Sequence, residues 1–117
     1  MPKERPVETT GATVKIPAGC GTMYITLGYV DNQLFEIFAW LGKGGSCAKS
    51  MVEAIVRCIA IGLQEGIPVE AYIEHLENIS CPTHAMRKGG AVTSCADAIA
   101  KVLKEHTMKK EKDTSAL

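Results

Sequence analysis

Between Gly21 and Val30 the apolar residues Met23, Ile25 and Leu27 alternate with Thr22, Tyr24 and Thr26. A period of two is the pattern of a strand with one buried face. The turn-forming DNQ follows, and LFEIFAWLG then reads as a second strand, so a β-hairpin is expected from about Gly21 to Trp40. ATVKIP, just before, reads as a further short strand. After GKGG the period changes. SCAKSMVEAIVRCIAIGLQEG reads as a long helix in which Lys49, Glu53, Arg57 and Gln64 fall within about 80° of one another at about 100° per residue. Nearly all its other positions are apolar, so the expectation is a central helix buried over most of its circumference. Gly66 suits the C′ stop, and Pro68 opens a new helix in its first turn. In that helix, PVEAYIEHLENI, Val69, Tyr72, Ile73 and Leu76 keep helical spacing. SCPTHAMRKGGAV reads as a loop. TSCADAIAKVLKEH reads as a third helix, capped by Ser94 or Thr93 and with Asp97 well placed in the first turn.

The fold class expected is therefore α+β. A small antiparallel hairpin or sheet packs on a long central helix, with two shorter helices. Residues 1–10 read as a flexible polar arm, 11–106 as one domain and 107–117 as a flexible polar tail. At 117 residues, 46% hydrophobic and 22% charged, the chain has the balance of a single globular core. Aromatics are only 5%, so that core must be aliphatic. Lys+Arg and Asp+Glu are equal at 13 each, which gives no overall pull toward polyanions. No apolar run reaches transmembrane length, and the opening MPKERPVETTG has no apolar signal region. A cytoplasmic address without membrane association is expected.

In a reducing compartment cysteines read as metal ligands, reactive groups or buried small hydrophobes. Four of the five, Cys20, Cys47, Cys81 and Cys95, fall at element boundaries, where separated segments can meet. Cys47 and Cys95 stand in the first turns of helices, where orphan N–H groups and the macrodipole favour a thiolate. Cys58 lies mid-helix. It is about 16 Å of axial rise from Cys47, too far for both to bind one zinc or to pair. It is expected to be a buried core thiol. Four boundary cysteines equal the ligand number of a closed zinc site. Their gaps of 26, 33 and 13 residues contain no C-x-x-C pair, so spacing leaves the matter open. His84, in CPTH, could replace one cysteine.

The blocks GCGTMYIT, FEIFAWLGKGGSC, EAIVRCIAIGLQEGIPVEAYIEHLENISCP and TSCADAIAKVL occur in this order. Together they resemble the TSCPD domain, found at the C-terminus of adenosylcobalamin-dependent ribonucleotide reductases and as short separate proteins. The likeness runs from about Thr10 to Lys104. The name-giving signature Thr-Ser-Cys-Pro-Asp stands here as Thr93-Ser94-Cys95-Ala96-Asp97, with Ala for Pro, which a first helical turn accepts. The family's cysteine positions match Cys20, Cys47, Cys81 and Cys95, and Cys58 lies outside them. The resemblance thus implies a shared four-cysteine site, with zinc as the leading occupant and an iron–sulfur cluster as the alternative. It does not carry over the reductase reaction, because a chain of this length has no room for the catalytic barrel and cobalamin site. The implied role is an accessory module that binds a ribonucleotide reductase, another protein, or a nucleotide or nucleic acid.

Two rival functions follow from other residues. Cys81 and Cys95 could relay electrons to a reductase as a thiol-redox pair. Lys43, Gly44, Gly45 and Ser46 form a Gly-rich turn between strand and helix, a setting that suits an anion. With Arg87 and Lys88 they are the candidate phosphate contacts of a nucleotide-binding regulator, although they do not form a Walker motif. The mostly apolar central helix and short sheet edges also raise a homodimer as an expectation.

Overall fold

A computed structural model describes residues 10–19, 21–41 and 46–115, with the side chains of 46 and 108–115 left aside. Three strands, β1 (Thr10–Ala18), β2 (Gly21–Val30) and β3 (Gln33–Leu41), form an antiparallel meander in the order β1-β2-β3. The expected hairpin is β2–β3. Asp31 and Asn32 make its two-residue turn with φ of 53° and 65°. This is the left-handed pair that matches strand twist and that Asp and Asn tolerate. The register shifts at Gly28/Tyr29, a bulge beside the turn. The third strand, β1, pairs along its whole length from Thr10↔Tyr29 to Ala18↔Gly21.

One face of the sheet carries Ile16, Met23, Ile25, Leu27, Ile37 and Leu41, all buried. Helix α1 (Ser46–Gln64) packs chiefly on β3, and α3 (Cys95–Ser115) packs on β1 and β2. The short helix α2 (Val69–Leu76) packs on α3. Among the described residues, neither α1 nor α3 covers the other face. Phe38 and Trp40 stand out from it, 55% and 56% exposed.

Four expectations are corrected. First, α1 is buried on one face only. Val52, Val56 and Ile59 meet the core, while Met51 and Ile61 remain 63% and 54% exposed. Cys47, Met51, Ala54, Cys58 and Ile61, spaced four, three, four and three residues apart, make an exposed apolar stripe. Cys58 is therefore a surface thiol and not a core one. The apolar pattern was read correctly, but a three-stranded sheet is too narrow to cover more than one side of the helix. Second, the deepest helix is α3, whose Ala98, Ile99, Ala100, Val102 and Leu103 are fully buried. It is also the longest at 21 residues, running into the stretch read as a polar tail. Third, the segment read as loop contains a small hairpin, β4 (Ala85–Arg87) and β5 (Gly90–Val92). Gly89 and Gly90 have φ of 104° and 137°, so the residues read as breakers serve as its turn. Fourth, α2 stops at Leu76, three residues before Ile79, because Asn78 turns left-handed (φ 67°) and its N–H leaves the helix for Asp97. Among the described residues, no helix is long and apolar enough to cross a membrane.

Candidate cysteine-bearing site

Two of the cysteine-bearing segments, those of Cys81 and Cys95, are joined at Asp97. This side chain is fully buried. Its Oδ1 accepts from the Asn78 N–H and its Oδ2 from the Thr93 N–H, each at 2.9 Å. Lys101 Nζ donates to both oxygens at 2.9 and 2.7 Å. Burial pushes the carboxyl pKa up, but the hydrogen bonds from Lys101, Thr93 and Asn78, with the Lys101 charge, outweigh it and hold the group below its ordinary value. The ion pair has a structural consequence. Asp97 fastens the end of α2 and the residue after β5 to the first turn of α3. Ser94 is the cap of α3, since its Oγ accepts the Asp97 N–H at 2.9 Å. Thr93 is used otherwise, its hydroxyl donating to the Ile79 carbonyl at 2.8 Å.

Two further contacts bring the cysteines toward one end of the sheet. The Cys81 N–H donates to the Thr93 carbonyl at 2.9 Å, so Cys81 runs beside the segment that leads into Cys95. Gly19, in the β1–β2 turn, lies against Thr83: a Cβ there would stand 2.0 Å from the Thr83 carbonyl oxygen. The tip next to Cys20 therefore touches the loop that follows Cys81, and a glycine is required for that approach. The same end receives β3, because Leu41 pairs with Met23, two residues from the turn. Cys47 follows in the first turn of α1 and is exposed. Cys81 and Cys95 are half-buried. The Cys81 thiol donates to the Thr83 carbonyl at 2.9 Å.

Cys20, Lys43, Gly44 and Gly45 lie outside the described residues, as does the Ser46 side chain. Among the described residues, no three His, Cys, Asp or Glu side chains gather closely enough to hold a metal ion. His84 is exposed, and its Nε2 meets Ser80 Oγ at 2.8 Å. Arg87 makes a two-point pair with Glu105 on α3, at 2.7 and 2.9 Å, which ties the β4–β5 hairpin to that helix. Lys88 is exposed beside it. Sequence reasoning missed the role of Asp97 as a hub. Its position, four residues after Thr93 and 19 after Asn78, gave no sign that both backbone N–H groups would donate to it.

Comparison with known proteins bears on this arrangement. Residues 1–107 match the TSCPD domain. The chain belongs to the TSCPD domain family. The segment that resembles the family's signature, Thr93 to Asp97, ends on the hub. Vitamin B12-dependent ribonucleotide reductases contain similar sequence. That of Streptantibioticus cattleyicolor is 36% identical over 80 residues, covering 68% of this chain and 13% of the reductase. That of Streptomyces clavuligerus is also 36% identical over 80 residues, covering 68% and 8%. That of Agrobacterium fabrum is 33% identical over 70 residues, covering 59% and 6%. The chain thus spans a small fraction of the length of these relatives. No solved structure matches it.

Proposed function

We propose that this TSCPD domain is an accessory module in which the thiolates of Cys20, Cys47, Cys81 and Cys95 hold one zinc ion. The observation that carries the reading is the contact of Gly19 with Thr83 combined with the Cys81–Thr93 hydrogen bond. The approach of Gly19, next to Cys20 in sequence, to the loop after Cys81, and of Cys81 to the segment before Cys95, supports the reading. Soft thiolates in a set of four suit zinc and close its coordination shell. Loading requires the Cys81 proton to leave and its sulfur to turn from the Thr83 carbonyl, so proton release accompanies binding. A closed zinc site supplies folding free energy rather than catalysis. The similarity to ribonucleotide reductases supports a reductase as the partner; another protein, or a nucleotide or nucleic acid, is the alternative.

The Cys81–Thr93 contact also supports a thiol-redox reading for Cys81 and Cys95. Elemental analysis of freshly purified, reduced full-length protein separates the two. About one equivalent of zinc, released with acceleration of alkylation at Cys81 and Cys95, is the expected result. Less than about half an equivalent of zinc, with those thiols already reactive, would transfer support to redox chemistry. Iron and sulfide in place of zinc would identify a cluster.

A further inference from the structure

The open face of the sheet is patterned, and no function above uses it. Strand register sets two rows across it. Lys15, Tyr24 and Trp40 form one, and Thr13, Thr26 and Phe38 form the next. Three of the chain's six aromatic residues stand here, on a molecule otherwise poor in them. Phe38 and Trp40 are more than half exposed. The Tyr24 and Trp40 rings lie 5.7 Å apart and tilted by 34°, which leaves the outer side of the indole uncovered. Within the second row, Thr13 and Thr26 share a hydroxyl–hydroxyl bond of 3.0 Å between β1 and β2. Of the two charged side chains on the described part of this face, the carboxylate Glu36 is 6% exposed and folded over Gly28, which an added Cβ would bring within 2.6 Å of it. Lys15 is left as the exposed charge.

An exposed aromatic surface costs solubility, so its position beside an exposed cation and two hydroxyls calls for an occupant with flat apolar faces and negative charge. From this pattern we infer that the face binds single-stranded nucleic acid. Bases stack on Trp40 and Phe38, and Lys15 contacts the phosphate backbone. Stacking on aromatics held by an antiparallel sheet is sequence-tolerant, because every base has a π-face. Trp40 and Phe38 are two residues apart on one strand, about 7 Å, and so offer successive platforms to neighbouring unstacked bases. A free nucleotide offers one base and would have no walls to enclose it on an open sheet. A duplex hides its base faces. The face is opposite to that covered by α1 and α3, so the inference goes beyond the zinc reading and stands or falls apart from it.

Trp40 is the only tryptophan, so its emission reports directly on occupancy. The experiment titrates full-length protein of known metal content with a ten-nucleotide single strand, DNA and RNA in turn, starting at about 50 mM salt. Saturable quenching is expected. Trp40→Ala, followed with a labelled strand, should weaken binding about tenfold or more, and Trp40→Phe should recover most of it. Lys15→Gln should reduce the slope of log affinity against log salt by about 0.7, the value for one single-strand phosphate contact. This surface lysine variant keeps the test decisive if Trp40→Ala folds poorly. The inference is overturned if quenching never saturates, if Lys15→Gln leaves the slope unchanged, or if AMP or the matching duplex binds as well as the single strand. It is equally overturned if binding appears only after residues 1–9 are removed, which would make that segment the natural occupant. Self-association abolished by Trp40→Ala, without strand binding, would assign the face to a second copy.

Discussion

Replacing Asp97 by Asn keeps the shape of the side chain but removes its charge and one acceptor. The Lys101 ammonium then loses its partner, and one of the two donated N–H groups from Asn78 and Thr93 is left over. Breaking a buried ion pair from one side is expected to cost about 3 kcal/mol, measured by urea denaturation near neutral pH. Because the folded-state pKa is depressed, this contribution is present above the unfolded pKa of about 3.9 and is lost as pH falls through the lower folded value. The difference between parent and Asp97→Asn should therefore shrink below about pH 4. A gap that stays constant under acid would show that the charge is not what holds the three segments. Cys58 gives a second residue-scale prediction. As a surface thiol it should be alkylated in the native protein at the rate of an open cysteine, and Cys58→Ser should remove that fast equivalent. Protection until denaturant is added would return it to the core. Thiol assays aimed at Cys81 and Cys95 are accordingly cleanest in the Cys58→Ser background.

At the scale of elements, the decisive contact is backbone on backbone. Gly19→Ala places a methyl against the Thr83 carbonyl, and neither strand turn nor loop can swing a side chain aside to relieve it. The expected cost is about 1–3 kcal/mol, and on the zinc proposal metal affinity should fall with it, because the turn at Gly19 is pushed from the loop after Cys81. Unchanged denaturation midpoint and unchanged zinc competition would remove this contact from the argument. The elements themselves were largely readable. Alternation in β2 marked the hairpin, and Asp31-Asn32 marked its turn. What could not be read was which apolar residues of α1 find a neighbour. Met51 and Ile61 have the same helical periodicity as Val52 and Ile59, and only the width of the sheet decides between them. The β4–β5 hairpin was hidden for another reason. Its strands are three residues each, too short for a period to show, and it is held by Arg87 reaching Glu105 and by the single buried side chain of Val92.

For the whole molecule, the sheet divides two possible functions between its ends and faces. The Cys81 and Cys95 segments run side by side near the turn from β1 into β2, and the aromatic rows stand on the face away from the helices. The first arrangement was half legible, since boundary positions singled out four cysteines while Asp97, which gathers two of their segments, was hidden among residues of ordinary spacing. The second was visible as the outward set of a strand, Tyr24 with Thr22 and Thr26. It became a surface only once register aligned Tyr24 with Lys15 and Trp40.

The Asp97 clasp also imposes an order in time. The three strands pair only with chain neighbours, so the meander can form as soon as it leaves the ribosome. The segments of Cys81 and Cys95 cannot be joined to it until Asn78, Thr93 and Asp97 have all been synthesised. On the zinc reading, a metal offered during translation would find two ligands and no site. Insertion then belongs after α3 has emerged and docked, when the chain's last large buried surface closes over the sheet.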